Sequence, residues 1–104
     1  MHHKKNKSEK ILRNLLQECF GYYRYKTCIT LAKDLLMQPN YSEHWDRIKQ
    51  LISERSMPVG VPLALIHNEA NLPLEEDSDE EAYKWFDLLV RNIETTDEHQ
   101  IIEY

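Results

Sequence analysis

A chain of 104 residues has the length of one ordinary domain, and on general scaling it buries about two thirds of its unfolded surface, enough for one core and too little for two. The residues AVILMFWYC make up 41% of it and only two positions are glycine, which excludes both a disordered chain and a fold built on tight β-turns. The net charge of -5 is unevenly laid down: residues 1–52 hold ten Lys/Arg against five Asp/Glu, a balance of +5, whereas residues 53–104 hold three against thirteen, a balance of -10. An acidic half is the wrong sign for nucleic acid or an anionic membrane, and it suits a basic protein, a cation or the chain's own basic half.

The basic opening, residues 1–10, runs straight into Ile11-Leu12-Arg13-Asn14, so no apolar stretch of signal-peptide or membrane-span length develops and a cytoplasmic location is expected. Residues 1–7 read as a flexible basic arm. Ser8 is placed to cap a first helix, in which Ile11, Leu12, Leu15, Leu16, Cys19 and Phe20 share one face at helical spacing. Gly21 sits where that helix would stop. Over 22–37 the apolar set Tyr22, Tyr25, Cys28, Ile29, Leu31, Ala32, Leu35 and Leu36 covers about half a helical wheel, which predicts a central second helix.

Pro39-Asn40 breaks that helix, and Ser42 is placed to cap a third, with Trp45, Ile48, Leu51 and Ile52 along one side. An irregular Pro-rich segment follows at 56–62. Residues 63–70 read as a short buried helix opened by Pro62, with a strand across 59–66 as the competing reading, because short apolar runs are ambiguous by periodicity. A fifth helix is expected over 79–93, and Thr95 or Thr96 is placed to cap a short turn within 95–104. The sum is an all-α, single-domain bundle of about five helices spanning residues 1–104.

The stretch Glu75-Glu76-Asp77-Ser78-Asp79-Glu80-Glu81 concentrates six carboxylates around one serine. Ser78 followed three positions on by Glu81 is a capping-box pattern, and acids in a first turn complement the helix dipole. Glu75, Glu76 and Asp77 lie before the cap and exceed that need, since like charges about 6 Å apart repel by about 0.7 kcal/mol per pair even in water. A calcium loop that starts at Asp77 would need glycine at position 82 and glutamate at 88, where Ala82 and Leu88 stand, so an EF-hand is excluded. A solvated helix start, pairing with the basic half of the chain, and recognition of a basic partner remain. In the helix behind the cluster Leu88 falls on the polar side of the wheel and Trp85 on the nearer edge of the apolar arc. Together they make a candidate hot spot with a charged surround.

No catalytic set emerges. Cys19 and Cys28 are nine positions apart with no zinc-like partner spacing, and read as reduced, buried small residues. His67-Asn68-Glu69 has the H-x-E spacing of zinc deaminases without their P-C-x-x-C. His44 lies in an apolar stripe, where a half-buried histidine satisfied by one hydrogen bond is the ordinary outcome. Two glycines cannot build a phosphate loop. No cofactor or metal is called for, and the reading is non-enzymatic.

Gly21-Tyr22-Tyr23, the run Ala32-Lys33-Asp34-Leu35-Leu36-Met37-Gln38-Pro39-Asn40, and Trp45 together resemble the end of one tetratricopeptide unit and the start of the next. The resemblance covers residues 21–52 and implies an antiparallel helical hairpin. Small residues expected inside the second helix are replaced by Thr27 and Cys28, and no further unit follows. The whole chain, about a hundred residues, mostly helical, acidic on one side and without a catalytic set, resembles the class of bacterial immunity proteins. That resemblance implies a protein that neutralises a basic toxin, typically a nuclease domain of a colicin or contact-dependent inhibition system, with carboxylates standing where phosphates would lie. The contact residues expected are Glu75, Glu76, Asp77, Asp79, Glu80, Glu81, Trp85 and Leu88. The alternative is a small helical adaptor or regulatory subunit that uses the Tyr-rich basic side around Tyr22, Tyr23, Arg24 and Lys26.

Overall fold

The computed structural model describes residues 3–20, 24–70, 72, 74 and 76–103, with the side chains of 3–6 and 98 left aside. Five helices follow one another: α1 His3–Cys19, α2 Tyr25–Leu35, α3 Pro39–Ser53, α4 Val61–Ala64 and α5 Asp79–Glu94. A π-helical turn, Leu65–Glu69, continues α4, and a 3₁₀ turn, Glu98–Gln100, follows α5. No strand occurs among the described residues. The apolar run that admitted a strand over 59–66 is helical from Val61 onward, with Pro62 in the first turn, where its missing N–H costs nothing.

The periodic faces become the core. Leu12, Leu15, Leu16 and Cys19 of α1, Ile29 and Ala32 of α2, and Ile48, Leu51 and Ile52 of α3 are buried together with Phe86 and Leu89 of α5. Helix α1 packs on α2 and α3, and α5 packs on α2, α3 and α4. Aromatic rings close the middle: Phe20 meets Trp85 edge-on at 5.3 Å, and Trp85 meets Phe86 at 5.4 Å. The radius of gyration, 12.8 Å, matches the value of about 13 Å for a compact domain of this length.

Several helix starts differ from expectation. Helix α1 already runs from His3, so residues 3–7 of the expected arm are helical, and Ser8 is an interior residue, 2% exposed, with its Oγ 3.4 Å from His44 Nδ1. Ser42 likewise lies inside α3. Pro39, with its torsion preset, opens that helix three residues earlier, and the Gln38 carbonyl takes the N–H groups of Tyr41 and Ser42 at 3.0 and 2.9 Å. Helix α2 is shorter than 22–37. The 3₁₀ turn is capped by Asp97, whose Oδ1 accepts from His99 N–H at 2.9 Å, while Thr95 closes the C-terminus of α5. Gly21 lies outside the described residues.

The cap at Ser78 is present: its Oγ accepts from Glu81 N–H at 3.2 Å. Helix α3 ends in a Schellman arrangement, with Ser56 N–H on the Leu51 carbonyl at 3.0 Å and Arg55 N–H on the Ile52 carbonyl at 3.2 Å. That arrangement needs a left-handed residue, and here it is Arg55, at φ 53°, where glycine is usual.

Candidate partner-binding face

The six carboxylates of the cluster do different work. Asp79 reaches back across the chain: Oδ2 accepts from Gly60 N–H at 2.7 Å and Oδ1 from Leu63 N–H at 3.2 Å. It therefore supplies the N-terminal cap that α4 lacks locally, because Gly60 heads that helix without a side chain. Glu81, with a side chain 14% exposed, lies 3.9 Å from Lys84. Both residues are occupied by structure. Glu75 lies outside the described residues. Glu76, Asp77 and Glu80 are exposed, Asp77 with an oxygen 3.2 Å from His67 Nε2 and Glu80 3.9 Å from Arg55.

Trp85 is not part of any surface. It is 2% exposed, because α5 is flanked by three other helices and the edge of its apolar arc is covered by Phe20. Leu88 is half-buried instead of standing in solvent. The expected Trp85–Leu88 hot spot is therefore corrected. An apolar residue that does face solvent is Val59, 97% exposed and next in sequence to Gly60, whose N–H Asp79 holds.

Val59 is held on a rigid support. A turn is closed by Val61 N–H on the Pro58 carbonyl at 3.1 Å, and Gly60 takes φ 87°, ψ -20°. Val59 has no positive φ, so the turn is type II, the one that reserves its second central position for glycine. Asp79 fastens this turn to the start of α5, and Tyr83 fastens its near end. The Tyr83 hydroxyl accepts from Met57 N–H at 3.0 Å and faces the Met57 carbonyl at 3.4 Å. Burial raises the Tyr83 pKa, so the phenol stays protonated and keeps its donor.

Arg55 organises the other end. Its guanidinium binds Asp87 through two hydrogen bonds, 2.9 and 2.8 Å, donates to the Ile52 carbonyl at 2.9 Å, and stacks 4.9 Å from the Tyr83 ring centroid. The hydrogen bonds to Asp87 raise its pKa further above the usual range. Asp87 stands seven residues after Glu80, two turns along the same helix face. That spacing is the sequence signal that could have added Asp87 to the acidic set. Val59 and Gly60 fall in the irregular segment expected at 56–62, but nothing local marked Val59 as solvent-facing.

The basic half of the chain spends its ion pairs elsewhere: Lys49 meets Glu94 at 2.6 Å and Arg13 comes within 3.9 Å of Glu69. Among the described residues no Lys or Arg of residues 1–52 pairs with Glu76, Asp77, Asp79, Glu80 or Glu81. On the alternative surface Arg24 and Lys26 are exposed, and Tyr22 and Tyr23 lie outside the described residues. His44 is half-buried on its one contact with Ser8, and Cys28 donates its S–H to the Cys19 carbonyl at 2.7 Å. Among the described residues no three His, Cys, Asp or Glu side chains converge as metal ligands would, and no helix is long and apolar enough to cross a membrane. No family model, curated protein or solved structure matches the chain.

Proposed function

We propose that this chain is a non-enzymatic, immunity-type inhibitor that binds a basic toxin domain, a nuclease above all, through an acidic face at the start of α5. One observation carries the reading. Exposed Glu76, Asp77 and Glu80 flank Asp79 in sequence, and Asp79 holds the turn that carries Val59, 97% exposed and tied down at Met57, Gly60 and Leu63. Carboxylates around a phosphate-binding cleft steer encounter and reject wrong partners, while a rigid apolar knob supplies burial at low ordering cost. The residues proposed for contact are Glu76, Asp77 and Glu80 with Val59, while Asp87 is taken up by Arg55. Partner binding in the cytoplasm needs no cofactor and no nucleic acid.

The test is binding to purified basic nuclease domains of the toxin type, with the product of the adjacent gene as the first candidate. Reversing Glu76, Asp77 and Glu80 to lysine should slow association about 10- to 1,000-fold at low ionic strength and flatten its salt dependence. Val59→Ser, which removes the apolar knob without changing charge, should raise the dissociation rate while leaving the salt slope intact. If the triple reversal changed neither affinity nor salt dependence, the acidic face would not be the contact surface.

A further inference from the structure

Asn92 sits in the last turn of α5, a polar residue between Arg91 and Ile93, and it is completely buried. Its amide is saturated. Nδ2 donates to Tyr25 Oη at 2.7 Å and to the Ile102 carbonyl at 2.7 Å, and Oδ1 accepts from Ile102 N–H at 3.0 Å and from Arg91 Nη1 at 3.3 Å. An asparagine amide has two donors and two acceptor positions, and all four are used. Two of the four fix the side chain, through Tyr25 and Arg91. The other two pair with the N–H and C=O of a single residue, as a neighbouring strand would.

The same Arg91 atom also donates to the Gln100 carbonyl at 3.1 Å. Every one of these contacts to residues 100–102 goes to main chain. Only Ile101 adds a side chain to the core, while Gln100, Ile102 and Glu103 are exposed. Apart from Ile101, this segment is held by its backbone. Its receptor groups stand on two helices, α2 and α5.

We propose that Tyr25, Arg91 and Asn92 form a peptide-binding site that reads the main chain of an extended segment, and that Ile101 and Ile102, with the carbonyl of Gln100 at the end of the 3₁₀ turn, fill it in cis. Its ligand class is an extended polypeptide with an apolar residue in the seat of Ile101, followed by a residue with a free N–H. This is the logic of strand addition, in which backbone hydrogen bonds supply affinity and one side-chain pocket supplies selectivity. The site lies apart from the acidic face and does not depend on the function proposed for it.

The test uses the full-length chain and a synthetic peptide of residues 98–103. Ile102→Pro removes the one N–H that Asn92 Oδ1 takes from the segment and leaves the helices untouched, as circular dichroism should verify. In that variant the peptide should shift the Asn92 side-chain amide resonances saturably, with a Kd of about 0.1–1 mM, whereas wild type, filled in cis at an effective concentration of about millimolar, should not respond. A peptide with proline at the Ile102 position should fail, and with Asn92→Leu added the peptide should no longer shift the Arg91 side-chain resonances, the reporter that remains. Equal response of wild type and variant, no response of either, or equal binding of the proline peptide would overturn the proposal. In unaltered protein the Ile102 N–H should exchange with solvent much more slowly than the Glu103 N–H; equal rates would also overturn it.

Discussion

Arg55 carries two opposed contributions, and a pair of substitutions separates them. Its backbone is left-handed at φ 53°, which costs an L-residue about 1–2 kcal/mol. Against that stand the two hydrogen bonds to Asp87, one to the Ile52 carbonyl, and the stacking on Tyr83. The Arg55 and Asp87 side chains are 33% and 47% exposed, so solvent screening limits the ion pair to about 0.5–1 kcal/mol. The carbonyl bond and the stacking add about 0.5–1 kcal/mol each. Arg55→Ala loses these contacts and keeps the strain, so it should destabilise by about 2 kcal/mol. Arg55→Gly loses the same contacts but relieves the strain, less the about 0.4–1 kcal/mol by which glycine favours the unfolded chain. It should therefore be the more stable of the two by about 0.5–1 kcal/mol. Urea denaturation followed by tryptophan fluorescence gives both values from the midpoints, provided the slopes agree. If Arg55→Gly were no more stable than Arg55→Ala, the left-handed strain would not be real. If Arg55→Ala lay within about 0.5 kcal/mol of wild type, the guanidinium would not be a structural hub.

Ser78→Ala should cost about 1 kcal/mol through loss of its cap on Glu81, whereas Ser42→Ala, inside α3, should stay within about 0.5 kcal/mol of wild type; thermal melts compare them directly. Trp85→Ala should cost about 3–5 kcal/mol by emptying the space between Phe20 and Phe86, and normal stability in that variant would contradict the packing. Burial pushes the Cys19 thiol up to about 12 from 9.0, with the nearby Cys28 and Glu18 adding to it, so neither cysteine should react with a thiol reagent at pH 8 until the chain unfolds. The same shift sets a pH dependence. A raised folded pKa leaves the stability whole below about pH 9 and removes it between pH 9 and 12, at about 1.4 kcal/mol per pH unit for that group. Urea midpoints that stay flat from pH 8 to 11, or that fall as steeply in Cys19→Ala, would refute it.

Periodicity made the helices legible because each buries a stripe, and Leu12, Leu15 and Leu16 or Ile48, Leu51 and Ile52 report that stripe directly. Ser78 could be read because its cap is local, three residues long. Ser8 and Ser42 looked the same in sequence and are not caps, since helix starts upstream of both override the signal. The candidate site was legible only in its excess charge. Asp79 finds its partners 16 and 19 residues away, Arg55 pairs with Asp87 across 32, and Asn92 meets Tyr25 across 67. No wheel contains such distances, and a wheel drawn for one helix cannot place the neighbours that cover Trp85.

The staples from Asp79 and Tyr83 mean that the Val59 turn and the carboxylates ride on one helix. The face exists only while α5 is docked, so a ligand that grips it recognises the folded chain and ignores the unfolded one. Mass action then makes such a ligand a thermal protectant: at a free concentration 100 times its Kd it would hold the fold by about 2.7 kcal/mol more. A melting scan against candidate basic domains would read that gain as a rise in Tm, with no activity assay needed.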